Sequence, residues 1–161
     1  MRGFLAATAC AAALALTGCA PNTGAAPDAG KPAVAEKTDV NRALPAPTPA
    51  AVTQHVVQAD GGKTIAVPVG GRFAVELVGV PTAGYLWGVV SKPAFLSDAV
   101  ESSGATTAAQ SQPGFTGGNH WEVFVFTAAA AGEGKLKLEQ RRPWEKNTPP
   151  SQTFEVTIQA R

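Results

Sequence analysis

Residues 64 to 77 read Thr64-Ile65-Ala66-Val67-Pro68-Val69-Gly70-Gly71-Arg72-Phe73-Ala74-Val75-Glu76-Leu77. Apolar side chains fall at 65, 67 and 69, and again at 73, 75 and 77. A period of two places one set of side chains on one face of an extended chain, so each run reads as a strand with a buried face. Gly70-Gly71 punctuates the two runs as a turn. The pattern continues outward. Tyr85 to Val90 is a short apolar run, Phe95 to Val100 a weaker one, and Trp121 to Thr127 is dense in β-branched and aromatic residues. Lys135-Leu136-Lys137-Leu138-Glu139 alternates, as does Phe154-Glu155-Val156-Thr157-Ile158-Gln159. No segment of helical length carries a 3.6-residue period. The pattern predicts strands over 64–69, 72–79, 85–90, 95–101, 121–128, 135–141 and 152–160, with an extra strand near 54–58.

Every aromatic residue except Phe4 lies between Phe73 and Phe154, so the core belongs to roughly the last 110 of 161 residues. That is enough for one domain. About seven short strands in such a length predict an all-β fold, an immunoglobulin-like β-sandwich. The Cys–Trp–Cys signature of antibody domains is absent, so this prediction rests on pattern alone. Charged residues are 16% of the chain and the formal net charge is +1, which gives no field to attract nucleic acid. Two cysteines and two histidines exclude a dense disulfide scaffold and leave little for a metal site. No cofactor or metal is expected. His55 and His120 read as surface or satisfied residues.

The N-terminus reads as an export signal. Arg2 precedes an apolar run from Phe4 to Leu16, too short to span a bilayer. It ends in Leu16-Thr17-Gly18-Cys19, which resembles a bacterial lipoprotein signal. That resemblance implies cleavage before Cys19 and lipid attachment to it. An ordinary secretory signal with an incidental cysteine is the alternative. Cys10 would be discarded with residues 1–18, and removal of Arg2 leaves twelve basic against twelve acidic residues. Ala20 after Cys19 is not the aspartate typical of inner-membrane retention. The implied site in a two-membrane cell is therefore the outer membrane, facing either the periplasm or the exterior. Residues 19–52 then form a Pro- and Ala-rich tether that holds six of the thirteen prolines and no aromatic residue. Such a composition cannot bury enough surface to offset its ordering entropy, which predicts disorder, unless part of it packs on the domain. Residues 53–161 are the expected domain, a monomer.

Successive strands of a sandwich run in opposite directions, so alternate loops gather at one end. The three loops so gathered are the ones rich in distinctive residues. The first reads Gly79-Val80-Pro81-Thr82-Ala83-Gly84-Tyr85-Leu86-Trp87. The second carries Pro113-Gly114-Phe115-Thr116-Gly117-Gly118-Asn119-His120, and the third Arg141-Arg142-Pro143-Trp144-Glu145. Trp87 alternates with Tyr85 and reads as a core residue, with Tyr85 packing nearby. Trp144 reads as an exposed anchor or as a plug on the sandwich end. Pro149-Pro150 straightens the chain into the last strand.

Together these loops resemble those of the chagasin family, inhibitors of papain-like cysteine proteases, over approximately residues 60 to 161. The family's motifs are Asn-Pro-Thr-Thr-Gly-Tyr-x-Trp, Gly-x-Gly-Gly and Arg-Pro-Trp or Arg-Pro-Phe, in that order. Pro81, Thr82, Gly84, Tyr85 and Trp87 match the first, with Val80 for asparagine and Ala83 for the second threonine. Arg142, Pro143 and Trp144 match the third. Gly117-Gly118 matches the second, but Gly114 precedes it one residue too far away. The resemblance implies that Pro81, Thr82, Ala83, Gly84, Gly114, Gly117, Gly118, Arg142, Pro143 and Trp144 contact a protease. Thr82 would approach the catalytic cysteine and histidine. Gly117-Gly118 would lie along the unprimed side of the cleft, and Trp144 would pack on the primed side with Arg142 hydrogen-bonding nearby. Inhibition would be occlusion, with no covalent chemistry. Valine at 80 cannot shape the turn through its side chain as asparagine can, so the first loop is expected to be either less well fixed or tuned to different proteases, with inhibition kept and selectivity altered.

An enzyme is disfavoured. The chain has no Gly-x-Ser-x-Gly elbow, no phosphate loop and no His-Glu-x-x-His, and the domain contains no cysteine nucleophile. The alternative function is an immunoglobulin-like surface lipoprotein with an adhesion or envelope-structural role.

Overall fold

The period-two runs pair into two four-stranded sheets in the computed structural model, which describes residues 39–161. The strands are β1 (Gln54–Val57), β2 (Thr64–Val67), β3 (Arg72–Gly79), β4 (Leu86–Ser91), β5 (Val100–Ala105), β6 (His120–Thr127), β7 (Gly132–Arg141) and β8 (Gln152–Ala160). One sheet has the order β1-β3-β6-β5 and the other β2-β8-β7-β4. Among the described residues the only helical pieces are short 3₁₀ turns. This is the expected sandwich, with β1 as the extra strand. The export signal, Cys19 and the first part of the tether lie outside the described residues.

The two inner faces carry the core. Phe73, Val75 and Leu77 of β3 and Phe124 and Phe126 of β6 face Leu136 and Leu138 of β7 and Phe154, Val156 and Ile158 of β8. Phe73 and Phe126 stack with ring centroids 5.4 Å apart. Complete burial of such a side chain contributes about 1.5–3 kcal/mol, so these ten residues dominate the domain's stability. Within each sheet the central pairs are antiparallel, while β1 joins β3 and β2 joins β8 in parallel at the edges. The chain therefore crosses from one sheet to the other between β1 and β2.

Two sequence expectations are corrected. The strand expected over 95–101 is β5, displaced to Val100–Ala105. Phe95 and Leu96 are apolar for another reason. Leu96 is buried in a turn closed by its N–H to the Pro93 carbonyl, and the Phe95 ring packs over Gly132 and Gly134 at the start of β7. The second correction concerns residues 39–52, expected to be disordered tether. They run over the outer face of the β1-β3-β6-β5 sheet, where Val52 is buried with Ala74, Val123 and Val125, and Ala46 packs beside them. Burial of that second apolar face offsets the ordering entropy of the segment.

Candidate functional site

The register brings three loops to one end of the sandwich. Gly79, the last residue of β3, and Ala105, the last of β5, both pair with His120, the first of β6. In the other sheet, Leu86 at the start of β4 pairs with Arg141 at the end of β7. Residues 80–85, 106–119 and 142–151 therefore leave from the same end.

The first loop is closed by main-chain atoms. Val80 N–H donates to the Tyr85 carbonyl at 3.0 Å, and Tyr85 N–H to the Val80 carbonyl at 3.1 Å. Between them Pro81–Ala83 forms a 3₁₀ turn, with Pro81 presetting φ at its start. Gly84 ends the turn at φ 78°. Residue 80 contributes to this closure through its backbone and not its side chain. Thr82 and Ala83 are exposed at the tip.

Trp87 anchors the base of this loop, buried as expected from its alternation. Its indole N–H donates to the Val78 carbonyl at 3.0 Å, and its backbone N–H to Glu122 Oε2 at 2.7 Å. Glu122 Oε1 is buried and has no hydrogen-bond partner among the described residues. Burial holds the Glu122 carboxyl above the ordinary carboxylate range, the Trp87 N–H opposes this, and Glu101 adds to the rise. A cleft of about 300 Å³ opens beside this carboxylate, lined by Pro81, Leu86, Trp87 and His120 among others.

The third loop closes onto the first. Arg142 Nε donates to the Ala83 carbonyl at 2.9 Å, and its Nη1 pairs with Glu145 at 3.0 Å. Its guanidinium carbon lies 4.4 Å from the centre of the Tyr85 ring, a cation–π contact. The resemblance implied that Arg142 bonds near a protease; in the free chain it ties two loops together. Trp144 is 67% exposed, yet one edge of its indole fills the space where a side chain at Gly84 would sit. Its indole is exposed and does not plug the end of the sandwich. Pro143 is exposed beside it.

The second loop is built differently. Gln110 Oε1 accepts from Thr106 N–H at 2.6 Å and Thr107 N–H at 3.0 Å, while its Nε2 donates to the Asn119 carbonyl at 2.9 Å. One side chain thus stitches the two ends of the loop. Gly114, Gly117 and Gly118 all have positive φ, of 81°, 86° and 96°. Phe115 is exposed between them. Neither Gln110 nor residues 39–52 is marked by a sequence pattern: Gln110 acts through side-chain bonds to nearby main-chain groups, and residues 39–52 through contacts distant in sequence. Among the described residues, no group of three or more His, Cys, Asp and Glu could hold a metal ion.

Comparison with known proteins identifies the family. The model of the chagasin family peptidase inhibitor I42 matches residues 66–158. Amoebiasin-1 of Entamoeba histolytica is 39% identical over 85 residues, covering 52% of this chain and 78% of that protein. Among solved structures, Amebosin superposes with a TM-score of 0.54 at 29% identity, over 67% of this chain and 97% of its own. A cysteine protease inhibitor from Entamoeba histolytica gives 0.59 at 19% identity, over 71% of this chain and 100% of its own, and so shares the fold. With more than half its length matched by the family model and the loops assembled as described, the chain belongs to the chagasin family of peptidase inhibitors.

Proposed function

We propose that this inhibitor acts on papain-like cysteine proteases by inserting its three-loop end into the active-site cleft. The observation that carries the reading is the joint between the first and third loops. Trp144 lies on Gly84 and Arg142 holds the Ala83 carbonyl, so Thr82 and Trp144 are presented on one preassembled edge. Tryptophan and arginine are both enriched in binding hot spots. On this reading Thr82 meets the catalytic cysteine and histidine, Gly117-Gly118 follow the unprimed side, and Trp144 covers the primed side. Pro81 and Pro143 stiffen the two turns and reduce the ordering entropy of binding. No group on the chain is asked to react, so inhibition is reversible occlusion.

The test is Thr82→Arg combined with Trp144→Ala, assayed against papain. Loss of a hot-spot tryptophan alone is expected to weaken binding by about 2 kcal/mol or more. The pair should abolish inhibition while the thermal melt stays within a few degrees of the parent. Unchanged inhibition places the contact surface elsewhere. The reading extends to a monomer anchored by lipid on Cys19, in the outer membrane of a two-membrane cell. Cys19→Ser is expected to release the protein from membranes; normal processing with membrane retention contradicts the anchor.

A further inference from the structure

The family model matches from residue 66, yet residues 42–44 pair with the loop end of the domain. Leu44 N–H donates to the Thr106 carbonyl at 2.8 Å, and Ala108 N–H to the Arg42 carbonyl at 2.9 Å. Ala43 bridges Thr107 in antiparallel fashion between those bonds. Trp121 adds its indole N–H to the Leu44 carbonyl at 2.9 Å. The segment thus continues the sheet past β5 and pairs with the first residues of the second loop.

The downstream half of the segment is fastened to the sheet. Ser102 Oγ donates to the Pro47 carbonyl at 3.1 Å, and Thr48 Oγ1 bonds the Glu76 carboxylate. The Pro47 ring lies over Gly104, where an added Cβ would be 3.1 Å from Cγ. Pro45, Pro47 and Pro49 preset φ along the run, which lowers the entropy lost on docking. The second loop needs such support. It has three glycines with positive φ, and within the loop the side chain of Gln110 bridges its two ends. The first and third loops brace each other through Arg142 and Trp144, whereas the second is braced from residues 42–44.

We propose that residues 42–49 are a positioning strap: they hold the second loop, residues 106–119, in its binding shape before the protease arrives, and so set the affinity of the inhibitor. The strap lowers the ordering entropy left to be lost on association, which acts on binding strength without a contact of its own to the protease. The proposal rests on the three-loop reading of function, and its test keeps the two separable.

Two variants of the full chain are compared with the parent. In one, residues 43–49 are replaced by a Gly-Ser run of equal length; in the other, Trp121→Phe keeps an aromatic ring but removes the indole N–H that donates to Leu44. Hydrogen exchange is followed in the free protein, and the inhibition constant is measured on papain. The replacement is expected to speed exchange over 107–119 by at least about tenfold, leave β7 and β8 protected, and raise the inhibition constant about tenfold. Trp121→Phe is expected to move both in the same direction by about threefold. Should the replacement lose protection in β7 and β8, Trp121→Phe decides. Unchanged exchange over 107–119 overturns the proposal, as does faster exchange with an unchanged inhibition constant. If the parent itself does not inhibit while exchange quickens, the three-loop reading fails and the strap's hold on the loop stands.

Discussion

Gly84 meets two constraints at once. Its φ of 78° is unfavourable for a residue with a side chain, and the Trp144 indole occupies the place that a side chain would need. Gly84→Ala is therefore expected to lower stability by about 1–2 kcal/mol and to push Trp144 off the first loop. Because Trp144 is on the proposed contact edge, the inhibition constant should rise by about tenfold or more. An unaltered constant would mean that this joint has no part in binding. Glu122 gives a second prediction, in pH. Its carboxyl is held above the ordinary carboxylate range by burial, so the folded chain keeps this proton where the unfolded chain has lost it. Its contribution to stability is greatest below the unfolded value and falls as pH rises through the raised one. Asp60, Glu139 and Glu155 are shifted down by N–H and cationic partners, and their contribution is lost as pH falls. Glu122→Gln keeps an acceptor for Trp87 N–H and removes the buried charge. It should raise the melting temperature at neutral pH, and the gain should shrink toward zero near about pH 4. Thermal melts across that range check it; a gain that does not depend on pH contradicts it.

At the scale of elements, the alternating runs were legible because one face of each meets the core. Phe73, Val75 and Leu77 in β3 and Phe154, Val156 and Ile158 in β8 sit where the period of two puts them. The displacement of β5 has a different cause. Val100 to Ala105 is mostly polar or small and pairs with β6 alone, so the sequence carries little strand signal there. The apolar Phe95 and Leu96 belong to a turn that covers the opposite end of the sandwich. The covered outer face left a trace that is clear only afterwards. Trp121, Val123 and Val125 are apolar on the face away from the core, where a half-exposed strand would be polar, and residues 42–52 are what covers them. Two of the proposed contact loops were readable from their residues, since Pro81 to Gly84 and Arg142 to Trp144 form local turns. Of the second, only the glycines Gly114, Gly117 and Gly118 were readable and its shape was not, because Gln110 and the strap act on it from outside its motif. Gly117 and Gly118 carry the element's own prediction. Their φ of 86° and 96° disfavours any side chain, so replacing both by alanine should distort the loop tip. Inhibition should weaken severalfold, while β7 and β8 keep their exchange protection; retained affinity would show that this loop does not engage the protease.

For the whole molecule, the balance of charge and the rigidity of the sandwich point the same way. A formal net charge of +1 on 161 residues gives little long-range steering, so recognition falls to shape and to a few desolvated side chains. The scaffold supplies that shape. Two sheets fix the spacing of the strand ends, the first and third loops lock onto each other, and the strap holds the second. Family membership makes the chain a peptidase inhibitor, and this loop end is the surface proposed for that task. The most direct test is a titration of papain with the purified, folded protein, following both residual activity and the integrity of the inhibitor. Expected are reversible, stoichiometric inhibition with a nanomolar or tighter constant, loss of binding when a ligand already fills the cleft, and an inhibitor recovered uncut. No inhibition at micromolar concentration by the folded protein, or binding that is indifferent to an occupied cleft, would contradict the proposed function.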